Sequence, residues 1–486
     1  MNWAVIVPLI VFVLLIFAIG FITAKRTSTA NSFINDYFLG SRELGGFVLA
    51  MTMVATYGSA SSFIGGPGTA YQIGLAWVLL SVIQVVTGYF VLTTLGKKFA
   101  IVSRKMNAVT LVDFLKKRYE SNTVVIVSAV SIVLFLFASL AAQWVGGARL
   151  IEGFVGISYK SALVIFAVTV LVYVSIGGFR AVVLTDALQG IVMLVGTIIL
   201  LIATVYAGGG IEAIIKDLVN ENPNLVSPYG ADRSLTPLYV SSFWILVGVG
   251  VVGLPQVAVR AMSYKNSKAM HQAMLIGTVV VGVIMLGMHL IGVFARAVIP
   301  GIEVGDTVMP TLTLKVLPPW LAGIVLAAPM AAIMSTVDSI LLIISSAIVK
   351  DLYLNYVNPK AKEQQVKRWS FLTTMIIGIL VFLFAINPPD LLIWFNLFSF
   401  GGLEAVFIWP IVLGLYWAKG NKYGAISGMV TGLLTYIFIH TYAPNPFGMH
   451  TVVLPVVLSL LVFVTASILT QSRTKNLQEQ LRKQYL

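Results

Sequence analysis

Long apolar runs dominate this chain, and short polar segments separate them. Each run approaches the ~20 residues that a membrane-spanning helix needs. The pattern predicts thirteen spans, at residues 3–23, 44–70, 74–95, 123–147, 159–178, 184–207, 239–260, 270–294, 319–346, 370–387, 391–415, 424–441 and 451–471. We therefore expect an all-α polytopic membrane protein.

Polar and helix-breaking residues interrupt the second apolar run. The segment 55–68 holds four glycines, a proline and a cluster of hydroxyl groups. In lipid every backbone N–H and C=O needs a partner, so unwound chain is tolerated only where it faces protein or a water-filled cavity. Freed carbonyls can bind a cation there, and half-helix N-termini can face an anionic group. The break predicts a binding site, with Gly65, Gly66, Pro67 and Gly68 as its hinge.

A similar interruption recurs five spans later, where Gly253 and Pro255 lie inside the seventh run. Paired broken helices indicate inverted repeats, and an odd number of spans per unit makes the second copy enter from the opposite side. We expect one five-helix repeat at 44–207 and another at 239–418. Glycines that allow close helix packing are the alternative explanation for the seventh run.

The remaining segments flank these repeats. An extra helix and a cytoplasmic loop occupy 1–43, an external loop occupies 208–238, two extra helices occupy 419–471, and a cytoplasmic tail occupies 472–486. The first apolar run has no basic residue before it, and Lys25 and Arg26 follow it. We expect it to be a retained helix and not a cleaved signal peptide.

Composition supports a membrane location. Hydrophobic residues make up 58% of the chain and charged residues 10%, whereas soluble domains carry about 25% charged residues. Cysteine is absent, which excludes disulfides and thiolate metal sites. The four histidines are scattered without ligand spacing. We expect no metal other than sodium.

The basic residues predict the orientation. Placing the N-terminus outside puts nearly all of the 31 Lys and Arg residues on the cytoplasmic side, as the positive-inside rule requires. The exceptions are Arg149, Lys160, Lys216, Arg233, Arg296 and Lys315. The net charge of +13 is then explained by loops beside an anionic leaflet, without a nucleic-acid partner. A bacterial inner membrane is the expected location.

The chain lacks the features of several other membrane-protein classes. It has no Gly-x-x-x-x-Gly-Lys-Ser/Thr loop to bind a nucleotide and no long extramembrane segment to form a catalytic or signalling domain. A channel would usually show a selectivity-filter loop or a ring of charges. We therefore expect a gradient-driven transporter, not an enzyme, with no cofactor beyond a coupling ion and no obligatory protein partner.

Two motifs resemble the signatures of the sodium:solute symporter family. The first comprises Gly156–Tyr159, the apolar run 163–172 and Tyr173–Ala181, and the second comprises Gly414, Leu415, Lys419, Gly424, Ala425, Gly428 and Gly432. The resemblance covers essentially the whole chain. It implies a LeuT-like core of two inverted five-helix repeats and sodium-coupled transport by alternating access.

The resemblance also implies a sodium site between the second and ninth spans. Its ligands would be the carbonyl oxygens of Ala55, Gly58 and Ala332 and the hydroxyls of Ser335 and Thr336. The residues agree with this assignment, because positions three and four apart share one helix face. Alternatively, the two hydroxyls bond back to their own helix.

Three carboxylates lie within predicted spans, where ionisable groups are expensive and usually functional. In the family the position of Asp186 belongs to the inward sodium path, but an ion pair with Arg180 or Arg260 remains an alternative. Asp338 lies one turn beyond Ser335 and either tunes the cation route or pairs with a basic loop residue. Glu404 is deep enough to need a partner that the sequence does not identify.

Several further segments are similar to the pantothenate-importing members of the family, among them 38–42, 59–68, 143–149, 253–260 and 317–336. This implies pantothenate as the solute, and the alternative is another monocarboxylate, an amino acid or a sugar. A small carboxylate needs a few convergent donors in an apolar cavity. The candidates are Tyr57, Ser59, Ser61, Ser62, Gln143, Asn396 and an N–H nest near Gly65 and Gly66. Arg149 could pair with the carboxylate, but its expected place near the outer surface favours solute admission or a surface role.

Overall fold

The computed structural model describes residues 2–27, 44–174, 179–388 and 391–472. Within these ranges the regular secondary structure is helical, apart from an isolated bridge between Leu44 and Tyr264. The prediction of an all-α polytopic protein is confirmed. The motif at 38–42, the end of the first signature at 175–178, the loop at 28–43 and nearly all of the tail at 472–486 lie outside the described residues.

Nine helices in the described part of the chain are long and apolar enough to cross a membrane. They are Trp3–Thr23, Leu75–Lys105, Asn122–Val155, Val182–Ala207, Ser267–Val298, Pro319–Val357, Glu363–Phe384, Ile393–Tyr416 and Lys422–Tyr442. Two bent helix pairs pass the same test, namely Gly46–Tyr57 with Ser61–Ile73 and Pro237–Gly253 with Pro255–Met262. Two shorter apolar helices are Tyr159–Val172 and Val453–Leu469.

These helices coincide with the predicted spans, but several continue past the apolar runs. The third span extends to Lys105, the fourth to Val155 and the ninth to Val357. Capping residues and the direction of the chain determine where a helix ends, whereas an apolar run marks only the part of the helix that lies in lipid. Because two of the helices are shorter than a full span, the count of thirteen stays a prediction.

Burial separates central from peripheral helices. In the ninth span, 94% of the apolar window is buried, against 28% in the first span and 33% in the tenth. Large apolar side chains on the outer helices face outward, including Leu275 at 71% exposure and Leu434 at 60%. Such side chains suit a lipid environment. The ninth span is therefore the centre of the packing.

Shorter helices connect the spans on both sides. Leu111–Tyr119 lies between the third and fourth spans, Ile211–Glu221 follows the sixth, and Val308–Val316 precedes the ninth. Arg118 on the first of these is buried, and its guanidinium donates to the carbonyls of Gly414 and Trp417. This contact ties the loop after the third span to the end of the eleventh.

Glycines allow the eighth span to approach the bent second span closely. A Cβ placed on Gly292 would lie 2.3 Å from the carbonyl oxygen of Pro67, and one on Gly68 would lie 2.4 Å from that of Gly305. Both neighbours are backbone atoms, which cannot move aside like a side chain. Glycine at these positions is a packing requirement.

We predict that Gly292→Ala destabilises the protein by about 1–3 kcal/mol, the usual cost of overpacking. Gly277→Ala is the matched control, because it lies on the same helix and a Cβ there meets nothing within 4 Å. Thermal unfolding in detergent should show a lower midpoint for Gly292→Ala alone. Equal midpoints for the two variants would contradict the close approach.

Candidate functional site

The second span breaks at two residues near mid-length. Its first helix ends at Tyr57, Gly58 is extended (φ −67°, ψ 126°), and the next helical segment begins around Ser61 at an angle of 64°. The amide of Gly58 still donates to the carbonyl of Val54. Carbonyls in the last turn of a helix have no partner from a following turn. The break therefore presents backbone oxygens to its surroundings.

The break is shorter than the sequence predicted. Residues 61–65 form one turn of π-helix, and Gly66–Ile73 continues as α-helix, so the four predicted hinge residues at 65–68 lie inside helical structure. The amide of Gly66 donates to the carbonyl of Ser61, which corrects the expectation of a free N–H nest there. A Cβ on Gly66 would lie 2.5 Å from Nε2 of His289. Close packing explains this glycine, and the hinge role stays a prediction.

The seventh span breaks at Leu254, which is extended between Gly253 and Pro255. The two halves differ in direction by 49°. Proline is well suited to the first turn of a helix, because it needs no N–H donor there. Both predicted hinge residues of this span flank the break directly.

The structure brings all five predicted sodium ligands together. The Ser335 hydroxyl lies 3.1 Å from the carbonyl oxygen of Ala55 and 3.0 Å from that of Ala332. The Thr336 hydroxyl lies 2.8 Å from the carbonyl oxygen of Gly58 and 2.9 Å from that of Ala332. Each hydroxyl thus contacts its own helix and also spans the gap to the second span. The bonding back to their own helix is therefore present, and the role of the two hydroxyls as sodium ligands stays a prediction.

These five oxygens form a neutral, buried cluster. Ala55, Ala332 and Ser335 are fully buried, and Thr336 is 7% exposed. Hard cations prefer oxygen ligands, and unwound backbone carbonyls coordinate sodium in related architectures. The three carbonyl oxygens now accept hydrogen bonds from the two hydroxyls. A cation at the centre of the cluster would take the place of those hydrogens and bind the carbonyl oxygens directly. The residues present therefore fit a monovalent cation.

Asp186 forms a buried ion pair close to this cluster. Its Oδ2 lies 2.8 Å from Nη2 of Arg260 and accepts from the hydroxyl of Thr52 at 2.6 Å. Arg260 also donates to the Thr52 carbonyl and to the hydroxyl of Ser339. Of the two partners that the sequence suggested, the structure pairs Asp186 with Arg260. Four helices meet at this network, including both broken spans.

Asp338 lies on the ninth span, one turn after Ser335, and is 2% exposed. It follows the cation cluster along the helix and precedes Ser339, which accepts from Arg260. Its role on the cation route stays a prediction.

A small cavity of about 50 Å³ lies beside the break of the second span. It is lined by Tyr57, Ser59, Ser61, Ser62, Trp77, Leu80, Ser81, Gln84, Phe243, Val247, Val251, His289, Ile393, Asn396, Leu397 and Phe400. Pockets for small-molecule ligands measure about 300–1,000 Å³. The helices around the cavity must separate before a solute of that size can enter.

Five of the seven predicted solute contacts line this cavity, and the other two do not. Gln143 lies behind it, where its Oε1 accepts from the amide of Ala60 at 2.8 Å and its Nε2 donates to the carbonyl of Ser139. The Ser139 hydroxyl in turn donates to Asn396. Gln143 thus holds the start of the second half-helix. Arg149 pairs with Glu152 at 2.8 Å and lies over the ring of Tyr159.

Three buried donors at the cavity have no hydrogen-bond partner within the described residues. They are the hydroxyls of Tyr57 and Ser61 and the indole N–H of Trp77. Buried polar groups are normally paired, so three orphans around one cavity indicate a ligand with several acceptors. The sequence did not single out Trp77, since a tryptophan in an apolar run carries no signal of its own.

His289 on the eighth span lines the cavity, although its place in an apolar run carried no such signal. Its Nδ1 lies 2.6 Å from the carbonyl oxygen of Met285, and a carbonyl can only accept, so Nδ1 carries the proton. Nε2 is then an acceptor that lies against Gly66. Gln84 and Phe243 also line the cavity without any sequence signal.

Asp306 lies in the loop between the eighth span and Val308–Val316, outside the spanning helices. It is fully buried, and its Oδ2 accepts from the amide of Leu392 at the start of the eleventh span. Burial raises the pKa of this carboxyl from near 3.8 to about 7, although the Leu392 N–H and the charge of Arg149 oppose the change. Asp306 fixes the start of a helix whose Ile393 and Asn396 line the cavity.

The fold and these sites define a secondary transporter scaffold of the LeuT type, with two broken helices and polar groups at their breaks. The model of the sodium:solute symporter family matches residues 37–432. The chain therefore belongs to the sodium:solute symporter family, and that prediction is confirmed.

Two curated relatives are similar over nearly their whole length. A sodium/pantothenate symporter of Haemophilus influenzae is 51% identical and covers 98% of this chain and 99% of its own. A sodium/pantothenate symporter of Escherichia coli is 50% identical and covers 96% and 97%. The solved structure of a substrate-bound, outward-open Na+-coupled sialic acid symporter aligns with a TM-score of 0.79 at 19% identity, covering 97% of this chain and 98% of that one. The last comparison supports the fold alone.

We predict that the contribution of Asp306 to the stability of the protein falls as pH rises from about 4 to about 7. The folded protein keeps a proton on this carboxyl in that window while the unfolded chain has lost it, so folding becomes less favourable with rising pH. Asp306→Asn keeps an acceptor for Leu392 but cannot titrate. Its thermal midpoint should change less across this window than that of the unchanged protein.

The control for this prediction is Asp232→Asn in the external loop. Hydrogen bonds from Ser234 lower the pKa of Asp232, so its contribution has the opposite sign and its removal leaves the fall with pH in place. The same pH profile for Asp306→Asn and the unchanged protein would contradict the assignment.

Proposed function

We propose that this chain imports pantothenate together with sodium by alternating access. The observation that carries the proposal is the five-oxygen cluster between the second and ninth spans, directly beside a cavity with unpartnered donors. A cation and a solute bound there would share the broken helix. The names of the two relatives at 50–51% identity support pantothenate as the solute.

Sodium binds the carbonyls of Ala55, Gly58 and Ala332 and the hydroxyls of Ser335 and Thr336. All five ligands are neutral, so the ion is held without a fixed counter-charge and can leave again. Its binding joins the second span to the ninth, which is the most buried span. Bound sodium thus favours one arrangement of the two helices. Coupling arises because the two conformational states differ in their affinity for sodium.

The solute binds at the cavity beside the break. Pantothenate offers a carboxylate, hydroxyls and an amide, which match the free donors of Tyr57, Ser61 and Trp77. Ser59, Ser62 and Asn396 complete the polar lining, while Phe243, Leu397 and Phe400 supply apolar contact. Gln143 positions the half-helix without touching the cavity. Arg149 remains near the outer end, where solute admission is its proposed role.

The transport cycle follows from these contacts. Sodium binds first and favours the outward-facing state, and the solute then closes the outer side. On the inner side sodium leaves past Asp186 and Asp338, and the solute follows. The ion pair between Asp186 and Arg260 lies where both broken spans meet, so movement of either span disturbs it. The breaks near 58 and 254, with the glycines and prolines at 65–68, 253 and 255, act as hinges.

The proposed arrangement in the membrane keeps the boundaries expected from the sequence. The repeats occupy 44–207 and 239–418, and the extra helices lie within 1–43 and 419–471. The N-terminus lies outside and the C-terminus in the cytoplasm of a bacterial inner membrane, consistent with the positive-inside rule. Transport needs no covalent step and no enzymatic activity. Sodium, the solute and the lipid bilayer are the partners it requires.

We predict that Ser335→Ala/Thr336→Ala lowers the apparent sodium affinity at least about tenfold, or 1.4 kcal/mol, because two of five ligands are lost. Uptake of labelled pantothenate into right-side-out vesicles is measured with an inward sodium gradient or an equal potassium gradient. Sodium should raise the thermal midpoint of the unchanged protein but not of the double variant.

Thr204→Ala is the control for the sodium site. Its hydroxyl is buried like those of Ser335 and Thr336 but bonds only to the carbonyl of Leu200 on its own helix. Its uptake should keep normal sodium dependence. A double variant with unchanged sodium affinity would overturn the site, whereas sodium stabilisation without pantothenate uptake would overturn the solute alone.

We predict that Tyr57→Phe and Ser61→Ala each raise the KM for pantothenate about 10- to 100-fold, because hydrogen bonds to charged groups are worth about 1.5–3 kcal/mol. Sodium affinity should stay unchanged. Ser128→Ala is the control, since its buried hydroxyl also lacks a partner in the described structure but lies away from the cavity.

Competition by unlabelled solutes tests the alternative substrates. Inhibition of labelled pantothenate uptake by another monocarboxylate, an amino acid or a sugar at lower concentration than pantothenate itself would reassign the solute. An unchanged KM in both cavity variants would place the solute elsewhere.

A further inference from the structure

Glu404 is a buried carboxyl that the sodium and solute sites do not use. It lies on the eleventh span, Ile393–Tyr416, one turn beyond Phe400 of the cavity lining. The residue is fully buried, and neither carboxyl oxygen has a hydrogen-bond partner within the described residues. It also forms no ion pair with a described residue.

The carboxyl lies against the break of the seventh span. A Cβ on Gly250 would lie 2.4 Å from Oε2 of Glu404, and one on Gly253 would lie 3.1 Å from its Cα. The same Cβ on Gly250 would lie 2.2 Å from the carbonyl oxygen of Ile245. Because Gly250 and Gly253 have no side chains, they leave room for Glu404 beside the seventh span.

Two tyrosines from other helices lie near the turn of the eleventh span that precedes Glu404. Tyr57 belongs to the break of the second span and lines the cavity, and Tyr436 belongs to the twelfth span. Both hydroxyls are buried without a hydrogen-bond partner in the described structure. A Cβ on Gly401, one turn before Glu404, would lie 2.5 Å from the Tyr436 hydroxyl. Glu404 thus stands between the two broken spans.

The other groups that pack near Glu404 in the described part of the chain are aromatic rings and one histidine. The fourth span contributes the ring of Phe135, which packs against Gly402. The twelfth span contributes His440, whose ring stacks on Tyr436, and the described part of the seventh span has no titratable group at its break. Arg118 contacts the same helix only near its far end, at Gly414.

An isolated carboxylate in such a place is very costly, because neither water nor a cation compensates for its charge. A proton removes the charge and supplies a donor. A bound sodium ion explains this buried carboxyl less well. Sodium needs several oxygen ligands, and the carboxylate of Glu404 alone does not provide them. The position therefore suits a protonated carboxyl.

We propose that Glu404 is a proton-binding site whose proton exchanges with the cavity as the two broken spans move, so that a proton accompanies the transport cycle. The carboxylate takes up one proton when the cavity is open to the outside and releases it when the cavity is open to the inside. Tyr57 of the second span also lines the cavity, and Tyr436 packs beside the preceding turn of the eleventh span. This inference rests on the proposed transport of pantothenate.

The test uses the full-length protein in liposomes with equal sodium on both sides and the membrane potential held at zero. An inward proton gradient of one pH unit should then drive pantothenate accumulation up to about tenfold, since one pH unit corresponds to a factor of ten for one coupled proton. Glu404→Gln has nearly the shape of the protonated side chain and cannot exchange a proton. It should show no proton-driven accumulation and should keep sodium-driven accumulation at uniform pH.

Glu363→Gln is the control variant, because Glu363 is an exposed carboxyl that pairs with Lys367 on its own helix and does not line the cavity. It should accumulate pantothenate in both gradients like the unchanged protein. Sodium-driven but not proton-driven accumulation by the unchanged protein would overturn the proton site and leave the proposed function standing. Failure of both gradients would overturn the proposed function.

Infrared spectroscopy tests the site without transport. The spectrum of the unchanged protein minus that of Glu404→Gln should contain the C=O band of a protonated carboxyl in hydrophobic surroundings, while the contribution of Asp306 cancels. The same spectrum for both proteins would overturn the proton site, whatever the uptake results. A loss of sodium cooperativity in Glu404→Gln, with unchanged pH dependence, would overturn it in favour of a second sodium site.

Discussion

The rest of the structure depends on how the interrupted backbone of the second span is satisfied inside the protein. A helix that breaks within lipid leaves polar groups that cost several kcal/mol each if unpaired. Here Gly58 ends the helix, and the hydroxyls of Ser335 and Thr336 reach its freed carbonyls from the ninth span. The break can exist only because the ninth span is buried against it. One set of contacts thus stabilises the fold and forms the candidate ion site.

The surrounding helices are arranged to protect this junction. Gln143 holds the amide of Ala60 on the far side of the break, and Arg260 of the seventh span contacts both Asp186 of the sixth span and Thr52 of the second. Buried polar networks are stable only when their members are satisfied. When the protein moves from one state to another, these contacts must break and re-form together. The scaffold therefore has discrete states and not a continuum of intermediate ones.

The solute cavity differs from the ion cluster in that its donors remain free. Tyr57, Ser61 and Trp77 have no partner among the described residues, whereas every oxygen of the cation cluster contacts another. A buried donor without a hydrogen-bond partner costs free energy, and a ligand that accepts its hydrogen bond removes that cost. The two sites share the broken helix, so occupation of one changes the position of the groups that form the other.

The sequence by itself determined the helical membrane class and the two broken spans, because apolar length and helix-breaking residues are local properties. The resemblance to the family supplied the five expected ligands of the candidate sodium site, including the pairing of Ser335 and Thr336 with the second span. Only the tertiary structure decided which partner Asp186 takes, that residues 65–68 are helical, and that Trp77 and His289 line the cavity. These outcomes depend on contacts between helices far apart in the chain, where burial and packing override local pattern.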